Sequence, residues 1–354
     1  MSVPRPPDPP PSAPAPANDE DAATAPRPRA RRRRRPVPDE AGVVGVLVLL
    51  VAAVGLLQPD FLRTDNLLTT AHNSVYVGLM ACGMVFALAM REVDLSVGGM
   101  YAMGVVVGAL LIREGTPTWA AAVAVLALTA LLGAVNGAVT TYLRLPSFIV
   151  TLATAMLLRG VGLALAEGKQ ITDLPPDDAF FRVLGGGELL GVPNAVWVFA
   201  AAVAALTVLF TRTRFGARVR AIGSNPEAAE FGGLPIARTR IAALALSGLM
   251  AGFAAVLALA FFIAGDPTIG QGYELTAIAA AIIGGTPLKG GLGSVLGAAA
   301  GCLILGVVTA ALVFFEVPIN WTTFATGGVI LVAVGAAPLL RRVRELRGPR
   351  TARP

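Results

Sequence analysis

Long apolar runs separated by short polar segments make up most of this chain. Ten runs carry no charged residue: 41–59, 66–90, 95–112, 115–143, 145–158, 189–211, 241–265, 275–288, 290–315 and 317–340. The fifth run keeps its apolar character past Arg159 as far as Ala166. A helix that spans a bilayer needs about 20 predominantly apolar residues. The pattern therefore predicts an all-α polytopic membrane protein with about ten transmembrane helices.

The basic residues between these runs predict which side of the membrane each connection occupies. If the runs alternate in direction, one side receives Arg91, Arg144, Arg212, Arg214, Arg218, Arg220, Arg238, Arg240, Lys289, Arg341, Arg342, Arg344 and Arg347. The other side receives only Arg63, Arg113, Lys169 and Arg182. Because basic residues concentrate on the cytoplasmic side, the first group is predicted to be cytoplasmic. An even number of spans then places both the N-terminus and the C-terminus in the cytoplasm.

Composition divides the chain into three parts. Residues 1–40 are rich in Pro, Ala and acidic residues and end in the cluster Arg31–Arg35, which predicts a disordered cytoplasmic tail. The first 30 residues contain no apolar stretch of the kind that forms the core of a signal peptide. We expect the cluster to hold the N-terminus inside and to touch anionic membrane lipid rather than nucleic acid. Residues 41–340 form the transmembrane domain, and 341–354 a cytoplasmic C-terminal tail.

The longest polar segment within the membrane domain is 211–240, which contains six arginines. Ser224 or Asn225 is positioned to cap a short helix that Pro226 begins, and Ser224 with Glu227 matches a capping box. Gly232 and Gly233 end this helix after little more than one turn. We predict that its small exposed face, Ala228 and Ala229, docks into a groove on a partner. An ordinary loop between two membrane helices is the alternative.

Several kinds of site are excluded or disfavoured by residue content. Lys169 and Lys289 are the only lysines, and neither belongs to a glycine-rich phosphate loop. We therefore expect no nucleotide site in this chain, and no enzyme activity of its own. Cys82 and Cys302 lie in apolar runs and His72 is the single histidine, so neither a disulfide nor a metal site is supported.

Charged residues within the predicted spans are few, which bears on how transport would be driven. Glu92 and Asp94 lie at the inner turn between the second and third spans. Glu274 is predicted at the outer start of the eighth span, and Arg159 toward the outer end of the fifth. With no carboxylate at the bilayer midplane, a proton-driven carrier is disfavoured. Sodium sites made of backbone carbonyls remain open.

Two glycine-bearing inner turns resemble each other. The first, Val93–Gly99, leads into a run with Gly104 and Gly108, and the second, Gly284–Gly293, leads into Gly297 and Gly301. Glycines four apart allow helices to approach closely in lipid. The pairing predicts two related halves. At the first turn we expect Asp94 and Ser96 to cap the third span.

Four sequence blocks in fixed order resemble one known family. They are Val93-Asp-Leu-Ser-Val-Gly98; Leu145-Pro-Ser-Phe-Ile-Val-Thr-Leu152 with Arg159-Gly160; Ala221-Ile-Gly-Ser-Asn-Pro-Glu-Ala-Ala229; and Gly272-Tyr-Glu-Leu-Thr-Ala-Ile-Ala-Ala280 with Ile283-Gly-Gly-Thr286. Over about residues 42–340 the chain resembles the membrane permease subunit of bacterial ABC importers for monosaccharides of the ribose, xylose, arabinose and rhamnose type. The arginine-rich tail lies outside the resemblance.

The resemblance singles out three sets of residues and implies a role for the first of them. Glu227, Ala228, Ala229 and Gly233 match the coupling-helix signature that docks on ATPase subunits. Asp94, Leu95, Ser96 and Gly98 match a motif at the first inner turn, and Gly284, Gly285 and Thr286 one at the second. The family commonly has two glycines where this chain has Arg91-Glu92.

The resemblance also implies a function and its partners. We expect a permease of the bacterial inner membrane that forms a monosaccharide pathway. Its partners would be ATPase subunits holding ATP and magnesium, a second permease copy or homologue, and an extracytoplasmic sugar-binding protein. Polar residues available to the pathway are Asn73, Ser74, Asn136, Thr151, Thr154 and Thr276, with none assigned. A branched-chain amino-acid permease, an ion-coupled carrier and a membrane scaffold are the alternatives.

Overall fold

The structure is a computed structural model that describes residues 39–318 together with 321, 324, 327, 328 and 331. Eleven α-helices follow one another in this part of the chain. They are α1 (Asp39–Leu57), α2 (Thr64–Ala89), α3 (Val97–Arg113), α4 (Thr118–Tyr142), α5 (Ser147–Leu165), α6 (Asn194–Arg212), α7 (Arg214–Ser224), α8 (Pro226–Phe231), α9 (Ile236–Phe262), α10 (Tyr273–Ile283) and α11 (Val295–Phe314). The protein is thus an all-α polytopic membrane protein, as its apolar runs predict.

Short elements occupy the connections. A 3-10 helix (Pro59–Leu62) precedes α2, and a π-helical turn (Phe181–Gly185) lies between α5 and α6. The strands β1 (Glu188–Leu189) and β2 (Val192–Pro193) form an antiparallel hairpin. Its two turn residues, Leu190 and Gly191, both have positive φ, as the tight turns that match strand twist require.

Six described helices, α2, α4, α5, α6, α9 and α11, are long and apolar enough to cross a membrane. The apolar part of α1 and the whole of α3 and α10 are shorter. The run 275–288 is therefore not a full span, because α10 has only 11 residues and is about 16 Å long at 1.5 Å per residue. The tenth predicted span, 317–340, lies almost entirely outside the described residues.

Helices α2 and α9 form the centre of the bundle, and both are mostly buried by their neighbours. Helix α4 crosses α9 at close range through two glycine pairs, each spaced by four. A Cβ at Gly133 or Gly137 would collide with the backbone of α9, and a Cβ at Gly248 or Gly252 would collide with Thr129 of α4. Small residues allow this backbone approach, which is a main source of helix association in lipid.

Candidate functional site

Among the described residues, several of the basic residues predicted to share the cytoplasmic side meet at one end of the bundle, whereas Arg341, Arg342, Arg344 and Arg347 lie outside the described residues. Arg91 contacts the end of α7, Arg240 pairs with Glu92, and Arg144 lines the same cleft as Glu92 and Arg240. We call this end, which also carries α7 and α8, the arginine-rich end. At the opposite end the α3–α4 connection meets the 166–193 segment, where the Thr118 hydroxyl donates to Asp178 at 2.9 Å.

The short helix α8 is present at the arginine-rich end. Asn225 caps it by accepting a hydrogen bond from the Ala228 N–H at 3.0 Å, and Pro226 is its first residue. The predicted capping box is wrong, because Ser224 is the last residue of α7 and lies one position too early. Gly233, with φ of +71°, ends the helix in the left-handed region that glycine adopts without strain.

The exposed surface of α8 differs from the predicted alanine face. Ala228 is exposed, whereas Ala229 is buried with 6% exposure and packs inward, so that part of the prediction is wrong. The exposed side is completed by Glu227, Glu230 and Phe231, the last 93% exposed. An acidic helix face ending in a bare phenylalanine is suited to docking on another protein, since aromatic residues anchor interfaces.

The Arg91-Glu92 pair connects the first inner turn to the junction between α7 and α8 and to the start of α9. Arg91 donates from Nε to the Gly223 carbonyl at 2.7 Å and from Nη2 to the Ser224 carbonyl at 2.9 Å. Glu92 Oε1 lies 2.6 Å from Arg240 Nε near the start of α9. Arg91 has φ of +66°, a backbone conformation that glycine adopts easily and other residues adopt with strain. The side chain of this strained residue connects the turn to α7.

Asp94 lies at the centre of a buried hydrogen-bond network. Its Oδ1 accepts from the backbone N–H of Ser96 at 3.0 Å and from the Ser96 hydroxyl. Asn136 donates to the same hydroxyl at 3.0 Å, and its amide oxygen accepts from Thr154 at 2.7 Å. Asp94 and Ser96 are both fully buried. Two of the residues singled out as polar candidates, Asn136 and Thr154, thus belong to the hydrogen-bond network of one carboxylate.

The expected capping of α3 takes a different form. Ser96 is the N-cap residue, but its hydroxyl bonds Asp94 instead of a backbone N–H of the helix. The turn is held from α5, where the Ser147 and Thr151 hydroxyls accept from the N–H groups of Val93 and Leu95, each at 3.0 Å.

The remaining polar candidates are dispersed. Ser74 bonds the Thr70 carbonyl one turn earlier, and Thr276 bonds the Gly272 carbonyl in the same way. Asn73 is exposed.

At the second inner turn, Thr286 is fully buried and Gly284 packs directly on the backbone of Gly297. The Thr286 hydroxyl accepts from the Ser294 N–H at 3.2 Å, and Ser294 caps α11 through Gly297 N–H at 2.9 Å. Gly285 has φ of +92°. The second inner turn contacts the end of α2, which leads into the first inner turn, since the Gly291 N–H donates to the Ala89 carbonyl at 2.8 Å.

The depth predicted for Glu274 is wrong. Between α9 and α10 the chain passes from Gly265, which packs on Ala109 of α3, to Gly270, which packs on Tyr101. Ala109 and Tyr101 are eight residues apart, so this irregular segment descends about 12 Å into the helix layer before α10 begins. Glu274 therefore lies beside Gly98, in the first turn of α3 and well inside the helix layer.

Glu274 pairs with Arg159 across this layer. Arg159 Nη2 lies 3.3 Å from Glu274 Oε2 and donates to the Gly270 carbonyl at 2.8 Å. The sequence did contain a signal for this arrangement. The run 275–288 has only 14 residues, too few for a full span, which indicates that this run does not cross the bilayer by itself.

Comparison with known proteins places this geometry in a family. The family model described as the permease component of the branched-chain amino acid transport system matches residues 66–334. Ribose import permease protein RbsC of Haemophilus influenzae is 32% identical over 289 residues, which is 81% of this chain and 90% of that protein. The L-arabinose ABC transporter permease protein AraH of Azospirillum brasilense is 36% identical over 297 residues, 84% and 86% of the two chains. RbsC of Escherichia coli K12 is 34% identical over 289 residues, 81% and 90%. The chain belongs to this family of transport-system permease components.

Proposed function

We propose that this chain is the membrane subunit of an ABC importer and forms the inner-membrane pathway for a monosaccharide. The observation that carries the proposal is similarity along more than four fifths of the chain to permeases named for ribose and arabinose. An extracytoplasmic binding protein would deliver the sugar, and separate ATPase subunits would supply the energy. The proposed layout has ten crossings in two related halves, cytoplasmic termini and a second permease subunit; the eighth crossing is made by the segment 263–272 together with α10.

The arrangement of α8 supports ATPase coupling. Glu227, Ala228, Glu230 and Phe231 are exposed at the arginine-rich end, and Arg91 connects the adjacent end of α7 to the first inner turn. A conformational equilibrium shifts only by the difference in a partner's affinity for the two states. ATPase states that bind α8 differently would therefore act on the inner turn through this connection.

The first experiment compares uptake with ATP hydrolysis in proteoliposomes that contain the permease, its ATPase subunits and sugar-loaded binding protein. Wild-type complex is expected to import the sugar only with ATP. Glu227→Lys reverses one charge on the docking face, so hydrolysis is expected to continue while uptake falls. Gly233→Val is expected to do the same by displacing the end of α8. Leu190→Lys, in the hairpin at the opposite end, is the control.

Two outcomes would contradict the proposal. Normal coupling in both α8 variants would remove its docking role. Accumulation of a solute by the permease alone, without ATP, would favour an ion-coupled carrier instead.

A branched-chain amino-acid permease is the second candidate because the matching family carries that description. The ribose and arabinose relatives favour a sugar. Competition separates the two: excess unlabelled pentose should abolish uptake of the labelled sugar, whereas excess leucine should leave it unchanged.

A further inference from the structure

We propose that Arg159 and Glu274 face the water-filled pathway and bind the hydroxyl groups of the sugar during its passage. The proposal rests on the proposed sugar-importing function and assigns that function a site. The two residues are 115 positions apart in sequence and are joined by the ion pair between α5 and α10.

The depth of the pair is fixed by three packed helices. Gly98 adjoins both Glu274 Oε2 and Arg159 Nη2, and the next residue, Gly99, packs on the backbone of Ala155, at the middle of the 19-residue α5. Tyr101, one turn further along α3, lies 6.4 Å from the ring of Tyr76, at the middle of the 26-residue α2. The pair therefore lies near the centre of the helix layer.

Both side chains remain partly exposed at this depth, Arg159 by 19% and Glu274 by 21%. A charged pair that met lipid tails here would be strongly disfavoured, and charged residues at this level face a bundle interior or an aqueous cavity. The irregular segment 263–272 supports the same conclusion. Non-helical backbone is tolerated at membrane depth only where protein covers it or where it lines water.

The pair retains hydrogen-bonding capacity for a solute. Among the described residues no group donates to Glu274 Oε1, and Arg159 Nη1 makes only one long contact, 3.5 Å to the Ile269 carbonyl. A carboxylate accepts from hydroxyls and a guanidinium donates to them, so the two residues together suit neighbouring hydroxyls on one sugar ring. Tyr273 is the residue next to Glu274 and adds an aromatic ring to the same segment. Discontinuous membrane helices often carry substrate sites near the midplane of transporters.

The first test measures water access beside the pair without altering it. Met156 is 70% exposed and lies one turn from Arg159 on α5, whereas Leu157 is 68% exposed on a different side of the helix. Met156→Cys and Leu157→Cys are made in a Cys82→Ser, Cys302→Ser background of the full transporter and treated with a charged methanethiosulfonate. Cys at 156 is expected to react about tenfold faster, because the reacting thiolate forms in water rather than in lipid. Transported sugar should slow that reaction. Equal slow labelling, or labelling at 157 alone, would overturn the proposal.

The second test separates sugar binding from a structural role. Glu274→Gln keeps the shape of the side chain but removes its charge. Uptake is expected to fall about tenfold, the effect of losing one charge-assisted hydrogen bond, with a changed order of preference among pentoses. Assembly and ATP hydrolysis stimulated by the loaded binding protein should persist.

Two results distinguish failure of this proposal from failure of the function. If wild-type complex imports sugar and Glu274→Gln has the same rate and preference, the pair is not in the pathway. If Glu274→Gln lowers uptake, assembly and hydrolysis together with unchanged preference, the pair is structural. Absence of any wild-type sugar uptake would instead refute the proposed function itself.

Discussion

Gly98, the last residue of the Asp-Leu-Ser-Val-Gly block, adjoins Glu274 of the Gly-Tyr-Glu-Leu block. A Cβ there would overlap Glu274 Oε2 and come within 3.1 Å of Arg159 Nη2. The Asp-Leu-Ser-Val-Gly block thereby leaves room for the carboxylate of the Gly-Tyr-Glu-Leu block. Asp94 and Ser96 hold the start of α3 from below, so the position of Gly98 depends on their buried network. Because glycine has no Cβ, this position leaves space for the ion pair between Arg159 and Glu274.

We expect Gly98→Ala to reduce sugar uptake about tenfold, by displacing Glu274 from Arg159 and so weakening a charge-assisted contact. Because the obstructed atoms are the ends of long side chains, the protein should still fold, as measured by yield and thermal unfolding. Gly160→Ala is the matched control, since nothing lies within 4 Å of its added Cβ. Equal uptake by the two variants would show that the ion pair tolerates the methyl group.

At the scale of single elements, α8 is stabilised by the residues at its two ends and by packing against the bundle. A six-residue helix is marginal by itself in water, yet Asn225, Pro226 and Gly233 define both of its ends. Inward packing of Ala229 attaches it to the bundle. What remains outside is a short surface with one large apolar residue, Phe231.

Phe231→Ala should weaken binding of the ATPase subunits roughly 10- to 100-fold, since burying a phenylalanine side chain contributes about 1.5–3 kcal/mol. Thermal unfolding of the isolated permease should be unchanged, because Phe231 is 93% exposed. Leu190→Ala, at 87% exposure in the hairpin at the opposite end, controls for loss of a surface apolar residue. Copurification and titration of the ATPase measure the effect, and unchanged affinity would place the docking surface elsewhere.

At the scale of the whole molecule, the arginine-rich end and the centre of the bundle are connected through one turn. Arg91 contacts the end of α7 immediately before α8, and Glu92 contacts α9. Two residues further along, Asp94 begins the buried network that reaches α4 and α5. A displacement of α8 would thus reach the first inner turn through Arg91, and the backbone of that turn leads on to Gly98 beside the Arg159–Glu274 pair.

Charge reversal tests this route. Glu92→Arg and Arg240→Glu should each lower coupled uptake about fivefold, because residues in direct contact interact by roughly 1 kcal/mol. The double variant Glu92→Arg/Arg240→Glu should recover most of the lost uptake by restoring an opposite pair. Arg113→Glu, at the other end of α3, is the control for net charge. Failure of the double variant to exceed the single ones would separate the Glu92 contact from coupling.

Apolar run length and arginine distribution were enough to predict a polytopic helical protein and the grouping of basic residues at one end. The cap residues, Pro226 and the two glycines that follow were enough to predict the short helix. These features are local, since each follows from the composition or spacing of one segment. The buried side of Ala229, the exposure of Phe231 and the depth of Glu274 depended instead on which surfaces pack together. Arg159 and Glu274 are far apart in sequence, and the short run 275–288 indicates only an incomplete span, not which residues lie beside Glu274. Only tertiary packing brings Arg159 and Glu274 together at one depth. Because charged side chains at that depth face a bundle interior or water rather than lipid, the pair becomes a candidate sugar site.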